Sequence, residues 1–374
     1  MLATISFVSS LGISIMLPLL PLYGLSLGAT PLQLGLLTSA FAVTNSVGQF
    51  AVGFLVDRAG PRRFILGGTA LYAAANGFIA TAPTAAALIG YRALAGLGAG
   101  GNLVSTRLYI SQTARQDSLA FFNSILSAAN SAGNVLGPAF GGLIAVASDL
   151  RVPFAIVAVT STLAFVAATF LPRARGAVHA TVPGAPALSA WNRSVYILLA
   201  ANLLLLIGFG SWITSCAPFA TQKAGWTTFE VGIIFTIFGI GDITLGPWLG
   251  HLADRTGRRR MATLAAIPIG AFGIALVLGA PLLVVYGISL FTGAALTAYN
   301  ASWFALLTTA VPPARRGRVF GTVSAVGNVG TVLGALGAST LWQIADVAYG
   351  LVMGSIAALC AGLVLLLLPR EVRS

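Results

Sequence analysis

The chain has 374 residues, of which 57% are hydrophobic and only 7% charged, and its mean hydropathy is +0.93. Soluble domains carry roughly 25% charged residues, so a soluble enzyme, a disordered tail and a nucleic-acid module are excluded as readings. The net charge of +12 would by itself admit nucleic acid, but its distribution along the chain assigns it to a membrane.

A bilayer-spanning helix takes roughly 20 apolar residues. Breaking the sequence at charges, Pro and Gly predicts twelve spans, over 2–24, 33–56, 64–82, 85–107, 119–147, 152–171, 194–218, 228–252, 261–279, 282–307, 319–342 and 347–369. Only the break at Gly279, Ala280 and Pro281 separates the ninth from the tenth. The stretch 172–193, rich in Gly, Ala, Pro and Arg, is expected to be a cytoplasmic linker between six-helix halves at 1–171 and 194–374. The predicted class is an all-α membrane protein. The first span has neither a basic leader nor a small-residue cleavage site, so no cleavable signal peptide is expected.

Seventeen of the twenty basic residues fall after the even-numbered spans or in the C-terminal tail. The opposite side holds Arg151 and Lys223, and Arg92 lies inside span 4. The positive-inside rule then places both termini in the cytoplasm. The same alternation absorbs the net charge, so no nucleic-acid partner is expected. Arg supplies nineteen of those twenty residues, a bias that suits a bacterial proteome and hence a bacterial inner membrane. Two cysteines in apolar runs and two histidines far apart in sequence predict no disulfide, no metal site and no cofactor.

The sequence repeats itself at an offset of 197 residues. Gly53, Asp57, Arg58, Gly60, Arg62 and Arg63 fall on Gly250, Asp254, Arg255, Gly257, Arg259 and Arg260. Pro21, Gly96, Gly133 and Gly137 fall on Pro218, Gly293, Gly330 and Gly334. Two parallel repeats of six spans imply a pseudo-twofold axis along the membrane normal, with a substrate path between the halves. At this offset Met1 meets Leu198 while span 7 begins near Ser194, so span 1 is expected to be clipped at its cytoplasmic end.

Intramembrane charges are costly and need partners. Arg92 lies at about the depth of the carbonyls of Ser14 and Leu17, which Pro18 and Pro21 leave without N–H donors. It is expected either to hold span 1 or to tune a proton site or bind substrate. Asp242 is the one carboxylate deep in a span, and its repeat partner is the neutral Asn45. A carboxyl in that setting can exchange a proton near neutral pH, so Asp242 is either the proton-coupling residue or a buried structural group. Glu230, at the outer end of span 8, is expected to be an interfacial charge. Asn123, Ser127, Asn130 and Asn134 form a polar stripe at helical spacing on span 5 and should line the path or a buried contact. Trp212, Phe209, Tyr299 and Trp303 are candidates for stacking on a flat substrate, or else core packing.

At these residues the chain resembles the major facilitator superfamily over essentially its whole length. Motif A of that family is matched from Gly53 to Arg63 and again from Gly250 to Arg260, and motif B by Arg92, Gly96 and Gly98. Motif C is matched by Gly133, Gly137, Pro138, Gly141 and Gly142, and the span 1 motif by Gly12, Pro18 and Pro21. Ser124 departs from the longer form of motif C, which has glycine there. The resemblance implies a twelve-span drug:proton antiporter that works by alternating access. In that reading Asp57 docks on span 11 and Asp254 on span 5 as a latch, with the arginines bracing the loops. The motif C glycines would pack helices or seal the halves against proton leak. The expected partners are a small drug-like or amphiphilic substrate, protons and the lipid bilayer, with the protein a monomer. A specific sugar or metabolite exporter, or an uncoupled facilitator, is the alternative. A membrane-embedded enzyme would need a catalytic cluster that the sequence does not show.

Overall fold

The computed structural model describes residues 2–113, 119–172, 192–312 and 316–369. They form twelve α-helices: α1 (Leu2–Ser26), α2 (Pro31–Ala59), α3 (Pro61–Ala80), α4 (Ala85–Thr113), α5 (Leu119–Ala147), α6 (Arg151–Thr169), α7 (Arg193–Gln222), α8 (Thr228–Thr256), α9 (Arg258–Val277), α10 (Leu282–Ala310), α11 (Arg316–Ile344) and α12 (Val347–Leu365). Each corresponds to one predicted span. The break at Gly279–Pro281 falls between α9 and α10 as expected. Eight of the helices are long and apolar enough on their own to cross a bilayer. Most of the expected linker, residues 173–191, lies outside the described residues.

The repeat extends to the helix ends. Thr30 and Gln33 form a capping box at the start of α2, with Thr30 N donating to Gln33 Oε1 at 2.9 Å and Gln33 N to Thr30 Oγ1 at 3.3 Å. Their counterparts Thr227 and Glu230 do the same for α8, with Thr227 N donating to Glu230 Oε2 at 2.7 Å and Glu230 N to Thr227 Oγ1 at 3.2 Å. Each box satisfies N–H groups that the first helical turn leaves free. The α2–α3 and α8–α9 connections turn on a single residue. Gly60 has φ +78° and Gly257 φ +103°, a region that L side chains avoid, which is why glycine recurs in motif A. Asp149 accepts from Arg151 N at 2.7 Å before α6, and its counterpart Asp346 from Ala348 N at 3.0 Å before α12.

The chain divides into two compact units, Met1–Thr181 with Thr227–Thr236, and Val182–Trp226 with Ile237–Ser374. In the first unit α4 packs chiefly on α2 and α3, and α1 on α5. In the second, α7 packs on α11 and α12, and α9 on α10 and α12. Helices in lipid associate through small residues that let backbones approach, and the glycines act here in register. A Cβ on Gly133 would lie 2.7 Å from Phe7 O, and one on Gly330 2.7 Å from Leu203 O. The core of the second unit gathers Val195, Leu198, Leu205, Tyr299, Trp303 and Leu307.

Candidate functional site

Motif A was expected to latch through its aspartates. The side chains of Asp57 and Arg58 lie outside the described residues. Asp254 is exposed and pairs with Arg258 one turn on, at 3.1 Å; Arg255 is exposed. The arginines further along the motif do bridge elements. Arg62 donates through Nε to Leu171 O at 2.6 Å and through a terminal nitrogen to Thr169 O at 2.7 Å. Its counterpart Arg259 donates to Leu366 O at 2.5 Å. Thr169 and Leu366 are themselves repeat partners. Each guanidinium therefore caps the last turn of the sixth helix of its repeat, where unpaired carbonyls and the helix dipole favour a cation. Among the described residues a Cβ on Gly53 would meet nothing within 4 Å, and one on Gly250 only Ala301 Cβ at 4.0 Å.

On α5 the polar stripe is in part a buried contact. Ser10 and Ser14 of α1 donate to Asn130 Oδ1 and Asn134 Oδ1, both at 2.8 Å. The side chains of Asn123 and Ser127 lie outside the described residues. The motif C glycines are close-approach sites. A Cβ on Gly137 would lie 2.6 Å from Ser14 Cβ, and one on Gly141 3.0 Å from Ile15 O. One on Gly142 would lie 2.6 Å from Thr228 O. Beside them Pro138 interrupts the ladder of α5, and the Thr236 hydroxyl enters the gap. It donates to Val135 O and accepts from Ala139 N, both at 3.0 Å. These contacts explain why Thr227–Thr236 belongs to the first unit.

Arg92 does not hold span 1. Its guanidinium lies over the Phe41 ring of α2, with Cζ 4.2 Å from the centroid. Its Nε is buried with no hydrogen-bond partner among the described residues. Ser14 bonds Asn134 instead. Equal depth does not determine the direction a side chain takes, and α4 faces α2 and α3.

Asp242 sits half-buried where α8 crosses α10, and its carboxylate accepts a hydrogen bond from the Thr297 hydroxyl. Gly293 makes the crossing possible, since a Cβ there would lie 3.0 Å from Asp242 N. No ion pair to Asp242 occurs among the described residues. Glu230 is committed to the α8 capping box.

The second unit holds a partly open cavity of 230 Å3 among α7, α8, α9, α10 and α12. Phe209, Trp212, Phe238 and Phe272 line it. The Trp212 ring stands 6.1 Å from Phe209, 5.5 Å from Phe238 and 6.1 Å from Phe272. Thr292, Asn300 and Ser355 are the polar side chains on its wall. Of the aromatic candidates, Trp212 and Phe209 are thus on the cavity. Tyr299 and Trp303 belong to the apolar core instead, where Trp303 Nε1 donates to Leu198 O at 2.9 Å. Phe238, one turn before Asp242, links the cavity to the carboxylate along α8.

The Major Facilitator Superfamily profile matches residues 2–227 and 198–374, covering both repeats. The chain belongs to this superfamily. It is 23% identical over 272 residues to Multidrug resistance protein 2 of Bacillus subtilis (strain 168), covering 70% of this chain and 68% of that protein. It is 27% identical over 238 residues to Quinolone resistance protein NorA of Staphylococcus aureus (strain MRSA252), covering 63% of this chain and 61% of that protein, under two thirds of its length. Among solved structures it resembles a point mutant of the nucleoside transporter NupG, with TM-score 0.83 and 15% identity over 98% of both chains. It also resembles a D-xylose-proton symporter, with TM-score 0.76 and 17% identity over 97% of this chain and 95% of that one. The chain is therefore a multi-span membrane transporter of the Major Facilitator Superfamily and not an enzyme.

Several contributors had only an indirect sequence signal. Thr297, Thr236 and the capping roles of Arg62 and Arg259 were not foreseen, although the repeat offset pairs Arg62 with Arg259 and Thr169 with Leu366. Reading that offset for bonded pairs, beyond motif letters, would have drawn attention to the caps. Within this superfamily fold the second unit combines an apolar, aromatic-walled cavity with a carboxylate held by one hydroxyl. That arrangement can bind an apolar molecule and hold or release a proton nearby.

Proposed function

We propose that this superfamily member exports a small, drug-like or amphiphilic molecule in exchange for protons, as a monomer in a bacterial inner membrane. Six-helix halves at 1–171 and 194–374 would alternate access, with both termini and the 172–193 linker on the cytoplasmic side. The motif A residues Gly53, Asp57, Arg58, Gly60, Arg62, Gly250, Asp254, Arg255, Gly257 and Arg259 would form the gate. Arg92 would tune the charge balance of the first half.

The observation that carries this reading is Asp242. It is an intramembrane carboxylate whose described side-chain partner is a neutral hydroxyl, so it can change charge without breaking an ion pair. One charge crossing 100 mV releases about 2.3 kcal/mol, enough for useful export. The multidrug and quinolone resistance relatives support a drug-like cargo.

The test is Asp242→Asn in proteoliposomes with an imposed proton gradient and ethidium or a quinolone as cargo. Uphill accumulation is expected to stop, while downhill exchange persists, because alternating access needs only differential binding to two states. Uphill accumulation by the purified variant would remove Asp242 as the proton carrier.

A further inference from the structure

The repeat that built both units left them different inside. At some positions in register with the cavity wall the first repeat carries the bulkier residue, and at others the smaller one, with Gly12 for Phe209, Ala75 for Phe272 and Ala99 for Leu296. Tyr72 is in sequence register with Ile269, and Phe154 with Leu351, the bulkier residue lying in the first repeat at both. Phe154 is fully buried and stacks on Tyr23 at 4.6 Å. Phe41, the counterpart of Phe238, is covered by the Arg92 guanidinium, and the residue in register with Arg92 is the small, buried Ser289. Ile269 and Leu351 lie on the wall of the 230 Å3 cavity in the second unit, together with the aromatic residues that the first repeat lacks at positions 12, 15 and 75.

The wall chemistry selects a ligand. Among the described residues no Asp, Glu, Lys, Arg or His lines the cavity, so an ion entering it would lose its hydration without a counter-charge. Four aromatic rings surround it, and aromatic faces favour offset or edge contacts with another ring. The Thr292 hydroxyl already donates within its surroundings, to Ile288 O at 2.8 Å and Pro268 O at 3.1 Å, and Ser355 is buried. Asn300 is exposed, so its amide marks the mouth and offers one donor group and one acceptor. An apolar cavity of about 150 Å3 holds benzene, and this one is larger by about one further fused ring.

We propose that this cavity binds a planar, uncharged molecule of two fused aromatic rings bearing one polar group, with the rings against Trp212 and the polar group at Asn300. The proposal rests on the exporter reading for its biological sense and names the class of cargo.

The test uses the full chain in lipid nanodiscs, with 1-naphthol as probe and equilibrium dialysis corrected for protein-free discs. Saturable binding is expected. Leu296→Trp fills the cavity and Trp212→Ala removes its central ring, so each should weaken binding at least tenfold, while Trp212→Phe retains most of it. Naphthalene-1-sulfonate, with the same rings and a charge, should not compete. Thermal unfolding of each variant separates loss of the site from loss of the fold. A photoreactive naphthol should label α7, α8 or α10 of the wild type whether or not the variants fold. Labelling confined to the first unit, or a folded Leu296→Trp variant that binds normally, overturns the proposal. So does displacement by decanol but not by 2-naphthol, which would make the cavity a seat for an acyl chain. Uphill transport of a panel of uncharged aromatic cargoes, 1-naphthol included, measured on the same preparations keeps the two ideas apart. Site-dependent binding without pumping removes the exporter reading alone, and pumping without naphthol binding removes this site alone.

Discussion

Thr297 on α10 donates its hydroxyl to the carboxylate of Asp242 on α8. The corresponding positions of the first repeat hold Gly100 and Asn45, and there the amide is served from its own helix, with Gln49 donating to Asn45 Oδ1 at 2.7 Å. The counterpart of Gln49 is Gly246, where a Cβ would lie 2.6 Å from Thr297 Cβ. Two positions have thus exchanged roles between the repeats. The donor moved from the same helix to the neighbouring one, and the polar group it serves changed from an amide to a carboxylate. An ionised carboxylate only accepts, so an intramembrane Asp needs such a hydroxyl, and glycine at position 246 makes room for it.

The caps made by Arg62 and Arg259 should contribute to stability in parallel. Arg62→Ala is expected to lower the thermal unfolding midpoint in detergent by the equivalent of about 1–2 kcal/mol, since it frees carbonyls that now accept charge-assisted bonds. Arg259→Ala should act in the same direction and by less, as one bond to a helix-end carbonyl is described for Arg259 against two for Arg62. Lysine at either site should recover only part, because it lacks the planar fork. Unchanged midpoints in both alanine variants would deny the caps any structural role.

Gly137 and Gly53 belong to family motifs for different physical reasons. Gly137→Ala puts a Cβ 2.6 Å from Ser14 Cβ and 2.8 Å from Leu11 O, so α1 and α5 must separate. A clear drop in the unfolding midpoint is expected, of the order of the 1–3 kcal/mol that overpacking costs. A Cβ at Gly53 would meet none of the described residues within 4 Å, and alanine in a helix is favoured over glycine by about 1 kcal/mol. Gly53→Ala should therefore match or exceed the wild-type midpoint. Loss of transport in that stable variant would assign Gly53 to gating.

Much of this was legible in advance because a bilayer imposes regular lengths. Breaks such as Gly279–Pro281 could be read from residue type alone, and the offset pairs Gly60 with Gly257, but the predicted spans left 57–63 and 253–260 as connections where the structure turns on one glycine. Arg92 shows where such reading stops. Its depth followed from counting residues, but its partner depended on which neighbours α4 faces, and that is set by packing far away in sequence. The cavity was invisible for a similar reason. Its aromatic wall brings together Trp212, Phe209 and Phe272, which the repeat pairs with Ile15, Gly12 and Ala75, and no motif records that exchange. Tyr299 and Trp303 carried the same stacking chemistry as Trp212, and only their burial separates core from cavity wall.

The Lys223–Asp346 ion pair, at 2.7 Å, ties the end of α7 to the start of α12. The Ala348 N–H, and then Lys223, hold the Asp346 carboxyl below its ordinary value of 3.8. A depressed folded-state value means stability that is fully present above the unfolded value and is lost as pH falls through the folded one. Asp346→Asn keeps an acceptor for the helix cap and removes the charge. Its unfolding midpoint should therefore lie slightly below wild type at pH 7, by the equivalent of less than about 1 kcal/mol for so exposed a pair. The difference should vanish at high salt and once the pH falls below the depressed value of Asp346. A difference that persists in high salt would show that the cap, and not the charge, carries the effect.

Thr297→Val is nearly isosteric and removes the one described side-chain donor to Asp242. Leaving a half-buried carboxylate without that bond costs about 1–3 kcal/mol in whichever state is ionised, and the protonated state bears much less of it. The variant should thus alter the balance between the two charge states without changing helix packing, since the methyl groups still fill the space beside Gly246. The expected result is a shifted pH profile of uphill transport and a reduced rate at neutral pH, with normal membrane levels and an unfolding midpoint close to wild type. Thr297→Ser, which restores the hydroxyl, should bring the profile back. Downhill exchange should be affected least, because it does not require the carboxyl to change charge in each cycle. If Thr297→Val pumps as the wild type does at every pH, the hydroxyl only packs against α8, and proton coupling at Asp242 would have to operate without it.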